Sequence, residues 1–343
     1  SRVLGDVYKR QAKPYRAVFE FDSDVLDIDG ARSVVIAGLV FRHDGPGASG
    51  HVVNVDNGGG VWAERITLFN NIFHDSYDND LLKIQAGVKK ATVVGNVFYN
   101  QGPSEQHMDV NSVIDVTIQD NIFFNDFSRS GRGNVDSKHF IVVKDSGVFD
   151  DGLDGSERIT IRRNVFMNWE GDVQSFVQIG NDGKAYHEAK DVQVENNLFL
   201  GNSSQETVTP LGVSGARDVS FINNTIVGDL PAKAYGFRSA VKGANPKNRN
   251  LTFVNNIWSD PTGTMDDFSG GDADSVVGLV LDNNLYWNKG KRLPDGDVAE
   301  PRDDVHRVDA DPGLESKHGG LVLPIWTGTQ FDSGEVTIRA EFE

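Results

Sequence analysis

Residues 66–73 read ITLFNNIF and residues 116–123 read VTIQDNIF. Apolar residues alternate with polar ones at period two, then asparagine closes the run and an apolar pair resumes it. The phrase recurs in TVVGNVF, ITIRRNVF, VQVENNLF, VSFINNTI, LTFVNNIW and LVLDNNLYW, eight times in all, with its asparagine at Asn71, Asn96, Asn121, Asn164, Asn197, Asn224, Asn256 and Asn284. The spacings are 25, 25, 43, 33, 27, 32 and 28 residues. A base of about 25 residues with variable insertions is the mark of a solenoid whose loops vary on one side. Period-two alternation rich in Val, Ile, Thr and Phe predicts short strands. Asparagine tolerates a left-handed turn, so each ladder asparagine is expected to bend the chain into the next strand.

A second row of strands lies between these turns: DLLKIQAG (80–87), HMDVNSV (107–113), HFIVVKDS (139–146), SFVQIGND (175–182), VTPLGVSG (208–215) and YGFRSAV (235–241). Two or three short strands per coil cannot bury a face alone. Stacked about 4.8 Å apart, they satisfy one another's backbone groups everywhere except at the ends. The expectation is an all-β fold, a single-stranded parallel β-solenoid of eight or nine coils with an internal asparagine ladder.

Composition is consistent with this and narrows the function. The chain has 343 residues, 33 Lys and Arg against 50 Asp and Glu, for a net charge of −17. With no extended basic tract, nucleic acid is excluded as the expected partner. Hydrophobic content of 38% and charged content of 24% argue against a wholly disordered chain. Zero cysteines exclude disulfides, cysteine nucleophiles and thiolate metal sites. No run of about 18 apolar residues exists to span a bilayer. Residues 1–11, SRVLGDVYKRQ, share no pattern with the rest and resemble translated adaptor sequence found in some metagenomic reading frames. The repeat is therefore expected to occupy 12–314, with 315–343 an incomplete C-terminal segment and any export signal lost upstream.

Over roughly residues 30–314 the N-[IVL]-F ladder and the coil length resemble the right-handed parallel β-helix proteins of the pectate-lyase-like superfamily. The resemblance implies the fold, and with it a carbohydrate-active, secreted or cell-envelope bacterial protein, expected to be a monomer. It leaves the reaction open, because this fold carries lyases, hydrolases, esterases, tailspikes and adhesins.

The ladder asparagines read as a structural amide stack and the row Phe73, Phe98, Phe123, Phe166, Phe199 and Trp258 as core. Chemistry is expected on the outward face of the second row. With Ile84, Val110, Val143, Ile179 and Val213 inward, alternation turns Lys83, Gln85, His107, Asp109, Asn111, Lys144 and Gln178 outward. The longest insertion, between Asn121 and Asn164, adds loops on both sides of this row, and long loops on a rigid scaffold often carry function. One brings Arg129, Arg132 and Lys138. The other brings Asp150, Asp151 and Asp154, similar to the calcium cluster of one pectate lyase family, and Ca²⁺ is the cofactor it implies.

Elimination on a uronic-acid polymer needs a cation or amide to neutralise the sugar carboxylate while a base removes the neighbouring proton. The candidates are Lys144, His107, Lys83, Asp109 and Arg132 for catalysis, with Asn111, Gln85, His139, Gln178 and Arg238 binding substrate. A lysine base requires a lowered pKa, so His107 and Lys144 are favoured over Lys83, which faces Asp109. The expected function is a polysaccharide lyase acting on an anionic polysaccharide. One alternative is a glycoside hydrolase using two of Asp80, Asp109 and Asp145, although the paired-aspartate motifs of polygalacturonase-like hydrolases are absent. The other is a non-catalytic carbohydrate-binding or surface solenoid.

Overall fold

Each repeat phrase forms one corner of a coil. Glu64–Phe69 leads into the asparagine, Ile72–His74 follows it, and Leu82–Gln85 completes the turn. These begin three sheets, here called first, second and third in that order. The computed structural model describes residues 15, 17–133 and 137–314, so the expected leader and the segment 315–343 lie outside the described residues. The first and third sheets have nine strands each and the second has eleven. Strands of neighbouring coils pair in parallel, as in Thr67 with Thr92 and Thr117 with Thr160. Among the described residues this makes nine complete three-strand coils, with one further strand of the second sheet at each end. No helix among them is long and apolar enough to cross a membrane.

The ladder forms as expected. The Oδ1 atom of Asn121 accepts from both the backbone N–H and the side-chain amide of Asn96, and Asn121 donates likewise to Asn164. The same amide group of Asn121 also donates to the Val93 carbonyl. This arrangement repeats through Asn284, whose acceptor in the next coil is the Asp304 carboxylate. Beside the ladder the rings of Phe73, Phe98, Phe123, Phe166 and Phe199 stack at 4.8, 4.9, 5.0 and 4.7 Å, which is the strand spacing itself.

One expectation is corrected here. The left-handed residue is the one before the ladder asparagine: Asn70, Gly95, Asp120, Arg163, Asn196, Asn223, Asn255 and Asn283 all have φ between 52° and 68°. The ladder asparagine must aim its amide into the coil, so its predecessor takes the turn.

Candidate active site

On the third sheet the inward residues are as the alternation requires, with Ile84, Val110, Val143, Ile179 and Val213 all buried. Pairing register then places one outward row across the coils: Lys83 beside Asp109, then Val142, Gln178, Gly212, Arg238 and Gly270. A second row runs Gln85, Asn111, Lys144.

The two rows meet in a charged cluster. The Lys83 ammonium donates to Asp109 at 2.5 Å and to Asp80 at 3.4 Å. Lys144 lies 3.5 Å from the same Asp109 oxygen and 3.5 Å from Asp182. The layering matters: the Asp80 and Asp109 side chains are 0% and 1% exposed, whereas Lys83 and Lys144 are 15% and 18% exposed. Carboxylates form the floor, and the two lysine side chains are the part of the cluster that reaches solvent. The backbone N–H of Gln106 also donates to Asp80.

Electrostatics sorts the candidates for base. Burial pulls Lys83 down, but Asp109 and Asp80 outweigh it and hold it well above the ordinary lysine value. Burial opposes Lys144 too, and Asp109 and Asp182 again carry it upward. Both lysines therefore remain cations at neutral pH, which corrects the expectation of a lysine base. Burial raises the Asp80 carboxyl against the pull of Lys83. Glu105 is pushed up to about 7, first by burial and then by the charge of Asp80, with Lys83 and Lys138 pulling back. It is the group of this cluster poised at neutral pH. Sequence reasoning missed it because it sits in the loop entering the Met108–Asn111 strand, where no periodicity speaks for a side chain.

His107 is corrected outright. It is buried, tilted against Phe140 at 4.7 Å between ring centres, with Nε2 2.9 Å from the Asn125 Oδ1. Backbone bonds from Leu82 to the His107 carbonyl and from Met108 to the Phe140 carbonyl extend the register one residue ahead of the strand. His107 thus occupies the coil position that Leu81 and Phe140 fill in adjacent coils. Aligning DLLKIQ, QHMDVN and HFIVVK would have revealed this apolar column. Burial drops its pKa to about 3. His139 is in the outward column beside it; its Nδ1 donates to the Ser175 carbonyl at 2.9 Å, and burial lowers it to about 4, with Lys144, Lys138 and Lys242 adding to the effect. It is neutral at pH 7.

Other expected ligands are engaged elsewhere. Arg132 spends its guanidinium on Asp75 and on the carbonyls of Asn100, Ser76 and Gln101, packed over Tyr77, and so it pins the corner between the second and third sheets. The Asn111 amide is bonded in both directions to Ser146. Gln85 donates to Asn54. Asp151 accepts from Ser112 Oγ and from the Leu153 N–H, while Asp150 and Asp154 are exposed. Among the described residues no group of three or more His, Asp or Glu side chains is placed to hold a metal ion, and Asp150, Asp151 and Asp154 belong to no such group. Asp145 accepts from the N–H groups of Gly147 and Gly155 and staples its loop. Gln178 and Arg238 instead line a groove of about 460 Å³ further along the same sheet.

No family model matches the sequence, and no curated protein matches it. Among solved structures the chain is similar to an alginate lyase from Paenibacillus sp. str. FPU-7, at 12% identity over 79% of this chain and 98% of that one, with a TM-score of 0.53. It is also similar to the A-module of the mannuronan C-5 epimerase AlgE4 of Azotobacter vinelandii, at 15% identity, 88% and 82% coverage and a TM-score of 0.42. A third likeness is to the surface protein and adhesin PfbA of Streptococcus pneumoniae, at 9% identity, 81% and 91% coverage and a TM-score of 0.35. The first of these carries the conclusion about fold: the chain is a right-handed parallel β-helix.

Proposed function

We propose that the protein is a secreted or envelope-associated carbohydrate-active β-helix that cleaves a uronic-acid polysaccharide by β-elimination. The observation that carries this reading is the layered cluster of Lys83 and Lys144 over Asp80 and Asp109, with Glu105 pushed up to about 7 beside it. The partly exposed lysines would pair with the sugar carboxylate, lowering the cost of a carbanion at the adjoining carbon. Glu105, ionised above about pH 7, would take the C5 proton. The C4–oxygen bond then breaks, a C4–C5 double bond forms, and the departing oxygen takes a proton from water, while Glu105 later releases the C5 proton to solvent. An alginate lyase built on the same fold supports the class without fixing the substrate.

The cluster also bears on how so acidic a chain would hold a polyanion. A −17 protein repels a polyanion unless a local cation layer overcomes it. The buried carboxylates keep both lysines charged, and the lysine side chains are partly exposed.

The test is to incubate the purified protein with alginate, pectate, chondroitin and ulvan, with calcium or with chelator, following ultraviolet absorbance of unsaturated ends together with reducing-end release. Both signals rising on one polymer is the expected result. Reducing ends without absorbance would mean hydrolysis, and silence in both from a folded protein would mean a binding solenoid.

A further inference from the structure

Beyond the charged cluster, the outward row of the third sheet changes character. It reads Gln178, Gly212, Arg238, Gly270, so large polar side chains alternate with glycines. A Cβ on Gly212 would come within 2.2 Å of the Gln178 Oε1 and 2.8 Å of the Ser175 Oγ, so that glycine is where the Gln178 amide lies down against the backbone. The result is the groove of about 460 Å³, lined also by Ser175, Lys233 and Asp267. Arg238 is exposed, and among the described residues it has no hydrogen-bonding or ion-pair partner. That is notable in a chain with 50 carboxylates, many of which pair with its other arginines. Asp267 lines the same groove, half-buried, with its carboxyl raised by burial and by the neighbouring Asp297. The groove therefore presents two exposed cations, Arg238 and Lys233, and two carboxylates, Asp267 and Asp297, around a floor of bare backbone.

We propose that this groove is a second saccharide subsite, in which Arg238 takes a uronate carboxylate and Asp267 a sugar hydroxyl. It rests on the polyuronate reading above and extends it. Five coil steps separate Lys83 from Arg238 in the register, about 24 Å at the spacing of paired strands. A chain must span that distance to engage both sites, so the protein acts within long chains and holds short oligomers weakly. Both sites lie on one sheet of a continuous solenoid, which makes their separation rigid. The two contacts on one chain then reinforce each other as linked binding events.

Calorimetric titration with alginate and pectate oligomers, from the disaccharide upward, tests this on the whole protein, on Arg238→Ala and on Gly212→Val. The second variant fills the slot and leaves the charge in place. Expected is a steep gain in affinity once chains span both sites, and a loss of about tenfold in both variants confined to those long chains. Affinity flat with length, or an Arg238→Ala loss equal for short and long chains, overturns the subsite. Binding is read without turnover, so the two readings separate. Length- and Arg238-dependent binding without unsaturated ends sinks the lyase and leaves the subsite standing. Turnover indifferent to both variants on long chains does the reverse, and binding of neither polymer ends both.

Discussion

The corner between the first and second sheets and the corners on either side of the third are built on opposite principles. At the first, eight successive coils turn in the same way: one left-handed residue, then a ladder asparagine whose amide is bonded to the coils on either side, while the first described coil has Leu39 at that position. Nothing is inserted there, because an extra residue would lift an amide out of the stack. The other two corners absorb all the variation in coil length, including the 43-residue interval between Asn121 and Asn164. Their polar groups are satisfied case by case, by Arg132 at one and by Asp145 and Asp151 at the other. Some are left over: both amide atoms of Gln101, the His107 Nδ1 and the Asn125 Nδ2 are buried without partners. Repetition gives the ladder its certainty, and freedom from repetition is what lets the other corners bring Asp80, Glu105 and Asp182 to the strand-borne Lys83, Asp109 and Lys144.

The sharpest way to break this contrast is to remove a ladder rung. Asn164→Leu strands the backbone and side-chain donors of Asn121 and should cost about 4 kcal/mol in denaturant unfolding. Arg132→Ala should follow at about 3 kcal/mol, since it takes a cationic partner from Asp75, which keeps His74 and Asn100, and removes the guanidinium donor from the Ser76 and Gln101 carbonyls. His74 and Arg132 hold the Asp75 carboxyl well below its usual range against burial. The variant should therefore also lose less stability than the parent on acidification. A ladder variant that proves milder than the corner variant would invert the comparison.

Glu105→Gln sharpens it on the side of chemistry. Turnover should fall at least about 100-fold, and the rise in activity as pH passes about 7 should disappear. The linkage runs the other way for stability. A carboxyl raised to about 7 holds its proton longer folded than unfolded, so its contribution declines as pH climbs from the usual glutamate value to about 7. The glutamine variant should be relatively more stable at pH 8. Asp126, also raised to about 7 by burial, acts in the same window and will remain in that variant.

His107→Phe carries a smaller effect, about 1 kcal/mol, and only in acid. The buried imidazole, lowered to about 3, loses stability for the fold as pH drops below the ordinary histidine value, because the unfolded chain takes up the proton first. Phenylalanine matches the column and should flatten that loss while leaving turnover intact. Smallest of all, Asp150→Asn and Asp154→Asn on the exposed loop should shift stability by less than about 0.5 kcal/mol. Calcium should raise the melting temperature of parent and variants equally or not at all.

The fold was legible because its signal is repeated: eight copies of one phrase specify strand, corner and stack together. Lys83, Asp109 and Lys144 were legible for the same reason, since alternation and register are properties of strands. His107 misled because parity was extended one residue past the strand, where the backbone turns and the side chain falls inward. Arg132 and the acidic loop misled because charge clustered along a sequence says nothing about which backbone carbonyls, hydroxyls or N–H groups will claim it. Glu105 was invisible for the complementary reason: its value comes from burial beside Asp80, a neighbour only in the coiled chain.

The asparagine ladder also has a direction. Each rung gives hydrogen to the next and receives from the one before, so the column behaves as a relay in which every member must be both giver and taker. Asp304 can only take. Placing a carboxylate there ends the relay by chemistry, in the manner of a monomer that lacks its second reactive group. Among the described residues the ladder thus ends in its own full stop, and exchanging that one residue for asparagine is where an engineer wishing to lengthen the relay would begin.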